Sequence, residues 1–159
     1  KRSDHFGEWR LFEKKKRKQK EEIMSKLYEK IRLVEEFHET FLIGNAKEIG
    51  LIDEKDYTLR YNLMKEENEE YLEACKNGDI VEIADALGDQ LYILFGTALK
   101  HGLQHKLEEL YDEIHRSNMS KLDEKGQPIF REDGKILKSN LYFKPDIRKV
   151  LGVEREKQQ

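Results

Sequence analysis

Proline, cysteine and tryptophan are scarce in this sequence, and each scarcity excludes something. The only prolines are Pro128 and Pro145, and proline breaks helix interiors, so everything before about residue 120 is free to be helical. A single Cys75 rules out an internal disulfide framework and fits a reducing cytoplasm. No apolar run approaches the roughly 20 residues of a membrane span, and no secretory apolar core is visible. The net charge of −3 gives no argument for a nucleic-acid partner.

What the chain has in abundance is charge. Of its 159 residues, 40% are charged and 37% apolar, a length that supports one domain with a real core. The charges mostly alternate in sign along helical stretches. The exception is Lys14-Lys15-Lys16-Arg17-Lys18-Gln19-Lys20, which reads as a nucleic-acid or phosphate patch or, given Glu21 and Glu22 directly after it, as a solvated helix or frayed terminus. Trp9, Leu11 and Phe12 could pin this segment to a neighbour.

The spacing of Ile23, Leu27, Ile31, Val34, Phe37 and Phe41 predicts a long amphipathic helix over Ile23 to Ile43, ended by Gly44-Asn45. Glu35 and His38 form one E-x-x-H. A di-iron bundle needs two such pairs, and Asp112 with His115 supplies an Asp where a Glu is required. Asp53 or Asp56 is placed to cap a second helix, which runs to about Lys76. Gly78 then serves as its stop and Asp79 as the cap of a third helix. A fourth helix is expected from Leu103 to Met119, with Leu107, Leu110 and Ile114 inward. Beyond Ser120, Pro128 to Lys138 reads as a β-hairpin turning at Asp133-Gly134. A short last helix follows Pro145 and carries Ile147, Val150 and Leu151.

The second and third helices carry acids among apolar positions. Leu59, Leu63, Glu67, Glu70 and Ala74 share one stripe at 100° per residue. On the third helix Glu82, Asp85 and Asp89 lie within roughly 60° of arc. That helix is apolar on most sides, with Ile80, Val81, Ile83, Leu87, Leu91, Ile93, Leu94 and Phe95, so burial is expected. Converging carboxylates in such a setting require compensation, and a hard divalent cation, Mg²⁺ above all, supplies it most simply.

Glu66-Glu67-x-x-Glu70, a spacer, and then acids before an apolar run resemble the signature of the MazG-like all-α nucleoside triphosphate pyrophosphohydrolases. The resemblance covers roughly residues 31 to 115. The family pattern, E-E-x-x-E followed by E-x-x-D, aligns in two ways. Glu82-Ile83-Ala84-Asp85 fits it literally. Asp89 directly precedes the apolar run, as the family's Asp does, but then the family's Glu falls on Ala86, and Asp85 would have to replace it. Glu82, Asp85 and Asp89 therefore all stand as candidates. The resemblance implies Glu67 and Glu70 as metal ligands and Glu66 as a ligand or the residue orienting the attacking water. It also implies cleavage between the α- and β-phosphates, giving a monophosphate and pyrophosphate. Mg²⁺ is the implied cofactor, with Mn²⁺ as substitute.

A triphosphate needs cations as well. Arg60, Arg116, Lys121 and Lys138, with Asn118 in the stretch Ser117 to Lys121, are the candidate substrate contacts, and Phe37, His38 and Asn45 the candidate base contacts. The expected fold is an all-α bundle of about four to five helices with a short C-terminal β-hairpin. Its parts are a basic helical extension over 1–22, a catalytic bundle over 23–120, and a hairpin and tail over 121–159 packing on the bundle or a partner subunit. A homodimer or homotetramer is expected, as in the family, because so few helices cover their apolar surface poorly. The expected role is nucleotide-pool control. The rivals are phosphoribosyl-ATP hydrolysis in histidine synthesis and a non-enzymatic helical scaffold whose acids merely face solvent.

Overall fold

The computed structural model describes residues 26–153; the basic segment and Trp9 lie outside them. The described chain is all-helical and contains no sheet. It forms two compact units, the first ending at His105 and the second beginning at Lys106.

In the first unit, helix α1 covers residues 26–40, α2 Glu54–Asn77 and α3 Ile80–Lys100. Helix α1 stops before the Gly-Asn pair expected to end it. Leu42 takes φ 57°, Ile43 N–H donates to His38 C=O at 2.8 Å and Leu42 N–H to Glu39 C=O at 3.2 Å. This is a Schellman ending built on leucine, where glycine is the usual residue. Ile31 and Val34, from the apolar repeat, are buried, whereas Phe37 and Phe41 of the same repeat stay partly exposed.

The α2–α3 hairpin forms as the sequence indicates. The Asp53 side chain accepts from Asp56 N–H. Gly78, at φ 67°, closes α2 in the left-handed region that suits glycine. The Asp79 side chain then accepts from Val81 N–H at 2.9 Å and Glu82 N–H at 3.2 Å. Caps of this kind satisfy the orphan donors of a first turn. The loop between α1 and α2 is strapped to the end of α3 by Ala46 N–H to Leu99 C=O and Gly50 N–H to His101 C=O.

One expectation fails for α3. Its sequence reads as buried, but Ile80 is 72%, Val81 70% and Leu91 54% exposed. Ala86, Gly96, Ala98 and Leu99 are its buried positions. Helix α2 and, through Phe37 and His38, α1 cover part of it; among the described residues the other sides of this all-round apolar helix stay open.

The second unit contains α4, Leu107–Met119, and α5, Ile147–Leu151. Helix α4 begins four residues later than the sequence suggests, because Gly102 (φ 69°) and Leu103, whose N–H returns to Ala98 C=O, still complete the end of α3. Leu107 and Leu110 are half-buried as expected, but Ile114, expected inward, is exposed. The hairpin is reduced to one antiparallel bridge, Phe130 to Ile136. Its turn is Asp133-Gly134, with Gly134 at φ 82°. Ser117 Oγ donates to Phe143 C=O at 2.8 Å, and Phe143 N–H donates to Ser120 Oγ at 3.1 Å. Asp146 caps α5 by accepting from Lys149 N–H.

Candidate active site

The acids of α2 and α3 differ in their surroundings. Glu67 is half-buried, and Glu66, Glu70, Glu82, Asp85 and Asp89 are exposed. Glu67 Oε2 is buried without a hydrogen-bond partner. Burial raises the Glu67 carboxyl above its ordinary value, and the charges of Glu70, Asp89, Glu66 and Asp85, in falling order, push it the same way. Desolvation and like charges both favour the neutral form of an acid. Glu82 is not among these four. It lies in the first turn of α3, where its N–H is taken up by the Asp79 cap.

These side chains are near enough to repel but do not form a closed cage. Among the described residues, no group of three or more His, Cys, Asp or Glu side chains is arranged to hold a metal. The donor set still fits a hard cation. Carboxylate oxygens are the ligands Mg²⁺ prefers, and an orphaned buried Oε2 among like charges lacks a positive partner. In the E-x-x-H pair of α1, Glu35 is paired with Arg32 at 2.8 Å, and His38 is committed elsewhere.

His38, on α1, is 2% exposed, and its Nδ1 lies 2.6 Å from Asn45 Oδ1. Burial lowers its pKa, Arg60 and Lys100 add to that, and the Asn45 bond opposes them. Two of the three candidate base contacts, His38 and Asn45, thus satisfy one another. Phe37 stands edge-on to Tyr92, with centroids 5.6 Å apart, and lies 4.4 Å from Phe41.

Arg60, expected as a phosphate contact, is 8% exposed. Its Nε donates to Thr97 Oγ1 at 3.0 Å and its Nη2 to Ile93 C=O at 2.9 Å. Burial lowers its pKa. The structure makes Arg60 a strut between α2 and α3. Gly96 permits it: a Cβ there would come within 2.6 Å of Arg60 Nη2 and 2.8 Å of His38 Nε2. Lys100 Nζ pairs with Asp56 at 2.6 Å and donates to Ile43 C=O at 3.3 Å. The sequence reading missed Gly96, Thr97 and Lys100. Their one visible signal is that small and polar residues interrupt an otherwise apolar run.

The remaining cationic candidates belong to the second unit. Arg116 grips Glu113 through Nε and Nη2, both at 2.8 Å, and lies 4.3 Å over the Phe143 ring. That grip, with the Asp146 N–H, holds the Glu113 carboxyl down at about 2. Lys121 Nζ donates to Asn118 Oδ1 at 2.8 Å. Lys138 Nζ sits 4.4 Å over the Tyr142 ring.

Residues 34–118 match the family model described as phosphoribosyl-ATP pyrophosphohydrolase. The match spans more than half of the chain and includes both acid-bearing helices. No curated protein matches the chain. Among the described residues, no helix is long and apolar enough to cross a membrane.

Proposed function

The chain belongs to the phosphoribosyl-ATP pyrophosphohydrolase family, and from that premise we propose a Mg²⁺-dependent nucleotide pyrophosphohydrolase. Its substrate is a (deoxy)nucleoside triphosphate, its products the monophosphate and pyrophosphate, and its role nucleotide-pool control. The observation that carries the reading is Glu67 Oε2, buried and unpartnered, on a carboxyl that feels the charges of four other carboxylates. A scaffold protein has no use for such an arrangement, because an uncompensated buried carboxylate destabilises the fold.

Glu67, Glu70, Asp85 and Asp89 would hold the ion. Glu82 is the weaker of the α3 candidates because it is not among the charges acting on Glu67. When bound, Mg²⁺ neutralises phosphate charge and stabilises the departing pyrophosphate. Glu66 orients the water that attacks the α-phosphorus, and the bond from that phosphorus to the bridging oxygen breaks. Glu67, whose Oε2 is free of any hydrogen-bond partner, takes the water's proton. No Ser, Cys or His nucleophile is required. The exposed apolar side of α3, with Ile80, Val81 and Leu91, supports a homodimer or homotetramer in which a second copy covers it.

A second reading, hydrolysis of phosphoribosyl-ATP, is favoured by the activity for which the family is named. The chemistry at the acids is the same, and the base and sugar contacts decide between the two. A panel of nucleoside triphosphates and phosphoribosyl-ATP, incubated with Mg²⁺ and assayed for pyrophosphate, tests both. Release from a triphosphate supports the first reading, and release from phosphoribosyl-ATP alone supports the second. No release from any of them removes the hydrolase.

A further inference from the structure

We propose that Gln90 is a positioning residue that sets the register of the two acid-bearing helices and so tunes the affinity of the site for its divalent cation. The inference rests on the hydrolase reading above. Gln90 directly follows Asp89 on α3 and is half-buried. Its Nε2 donates across the hairpin to the main-chain carbonyl of Glu67 on α2, at 3.3 Å. The bond therefore joins the residue next to one proposed ligand to the backbone of the residue carrying the orphaned carboxylate.

The Gly78-Asp79 turn fixes the hairpin at its closed end and Arg60 ties it at the other; the acids lie between these two anchors. Ala74 and Ala86 are buried on α2 and α3, and small apolar side chains resist sliding less than interdigitating large ones. The polar tie formed by Arg60 to Ile93 and Thr97 starts seven residues, about two turns, before Glu67. At the acid end, among the described residues, Gln90 is the side chain that hydrogen-bonds across the two helices. A ligand set split over two helices is sensitive to shifts of well under an ångström, since productive geometry tolerates roughly 0.5 Å. Hydrogen bonds that orient the ligands of a metal commonly carry 10- to 100-fold in metal affinity. One neutral bond to a backbone carbonyl falls at or below the low end of that range.

Gln90→Met keeps the length of the side chain and removes its donor. Gln90→Asn keeps the donor and shortens its reach. Both variants of the full chain are compared with wild type by calorimetric titration with Mn²⁺ and by pyrophosphate release against Mg²⁺ concentration. The expected result for both is a Kd for Mn²⁺ raised roughly three- to tenfold. Half-saturating Mg²⁺ shifts in step, and kcat at saturating Mg²⁺ stays within about twofold, because the ligands themselves are intact. Wild-type Mn²⁺ affinity in the Met variant overturns the proposal, as does a lowered melting temperature without any change in affinity. A wild-type chain that releases pyrophosphate while the Met variant behaves identically sinks only the role of Gln90. A wild-type chain that neither binds Mn²⁺ nor turns over sinks the hydrolase reading and this inference together.

Discussion

Glu67→Gln should abolish turnover and stabilise the metal-free protein, and the two effects share one cause. The Glu67 carboxylate is held in the fold at a cost: one oxygen is buried without a partner, and Glu70, Asp89, Glu66 and Asp85 repel it. Gln keeps a polar atom at the orphaned position and removes only the charge, so the gain is the desolvation and repulsion of the ionised form. Glu67 is only half-buried, and solvent screens its neighbours, so about 1 kcal/mol is appropriate. For a chain of this length that corresponds to a rise of about 2–4 °C in melting temperature. The sign with pH follows from linkage. The folded pKa lies above the ordinary 4.5, so the penalty is complete where Glu67 is ionised in both states. It fades as pH falls through the folded pKa and is gone below 4.5. The advantage of the Gln variant should therefore be full at neutral pH and vanish in acid. Thermal melts of both proteins with chelator, from neutral pH down to about pH 4, measure it. A Gln variant less stable than wild type at neutral pH would refute the reasoning, because Glu67 would then have a stabilising partner.

Three further outcomes follow from the same contacts. Saturating Mg²⁺ at about 100 times its Kd should stabilise the wild type by about 2.7 kcal/mol, seen as a shift of about 5–10 °C in melting temperature; indifference to Mg²⁺ counts against the site. Gly96→Ala drives a Cβ against Arg60 and His38 and should cost about 1–3 kcal/mol, read from the denaturant midpoint, with an unchanged midpoint showing that the strut is loose. The His38 pKa lies below 6.5, so its contribution is whole above 6.5 and is lost as pH falls through the window down to the folded value. Melts across that window should show a flatter profile for His38→Gln than for wild type, and parallel profiles would remove His38 as the cause.

The sequence displayed the α2–α3 hairpin clearly because its signals are local. Asp53, Gly78 and Asp79 each act within a few residues of where they stand, and caps depend on little else. The acid pattern was legible for the same reason: helical period alone puts Glu67 and Glu70 on one stripe. What the sequence hid was tertiary. Arg60 looked like a free cation before the acids, and only the approach of α3, permitted by Gly96, turns it inward to Thr97 and Ile93. His38 and Asn45 looked like separate contacts for a base, and the turn at Leu42 brings them together. The apolar run of α3 promised burial, yet apolarity does not say whether the covering surface lies in the same chain. The hairpin at Asp133-Gly134 announced its turn, but its flanks hold only one bridge, because a turn signal does not supply the cross-strand pairs that extend a ladder.

The central claim is that the Glu67 carboxylate is left without a partner because a divalent cation occupies that place. A crystal of the protein grown with Mn²⁺, with data collected at the manganese edge, tests it most directly. The expected result is an anomalous peak within coordinating distance of a Glu67 carboxylate oxygen, shared with Glu70 and at least one of Asp85 and Asp89. A catalytically competent crystal with Mn²⁺ bound elsewhere, and Glu67 facing only its neighbours, would contradict the claim.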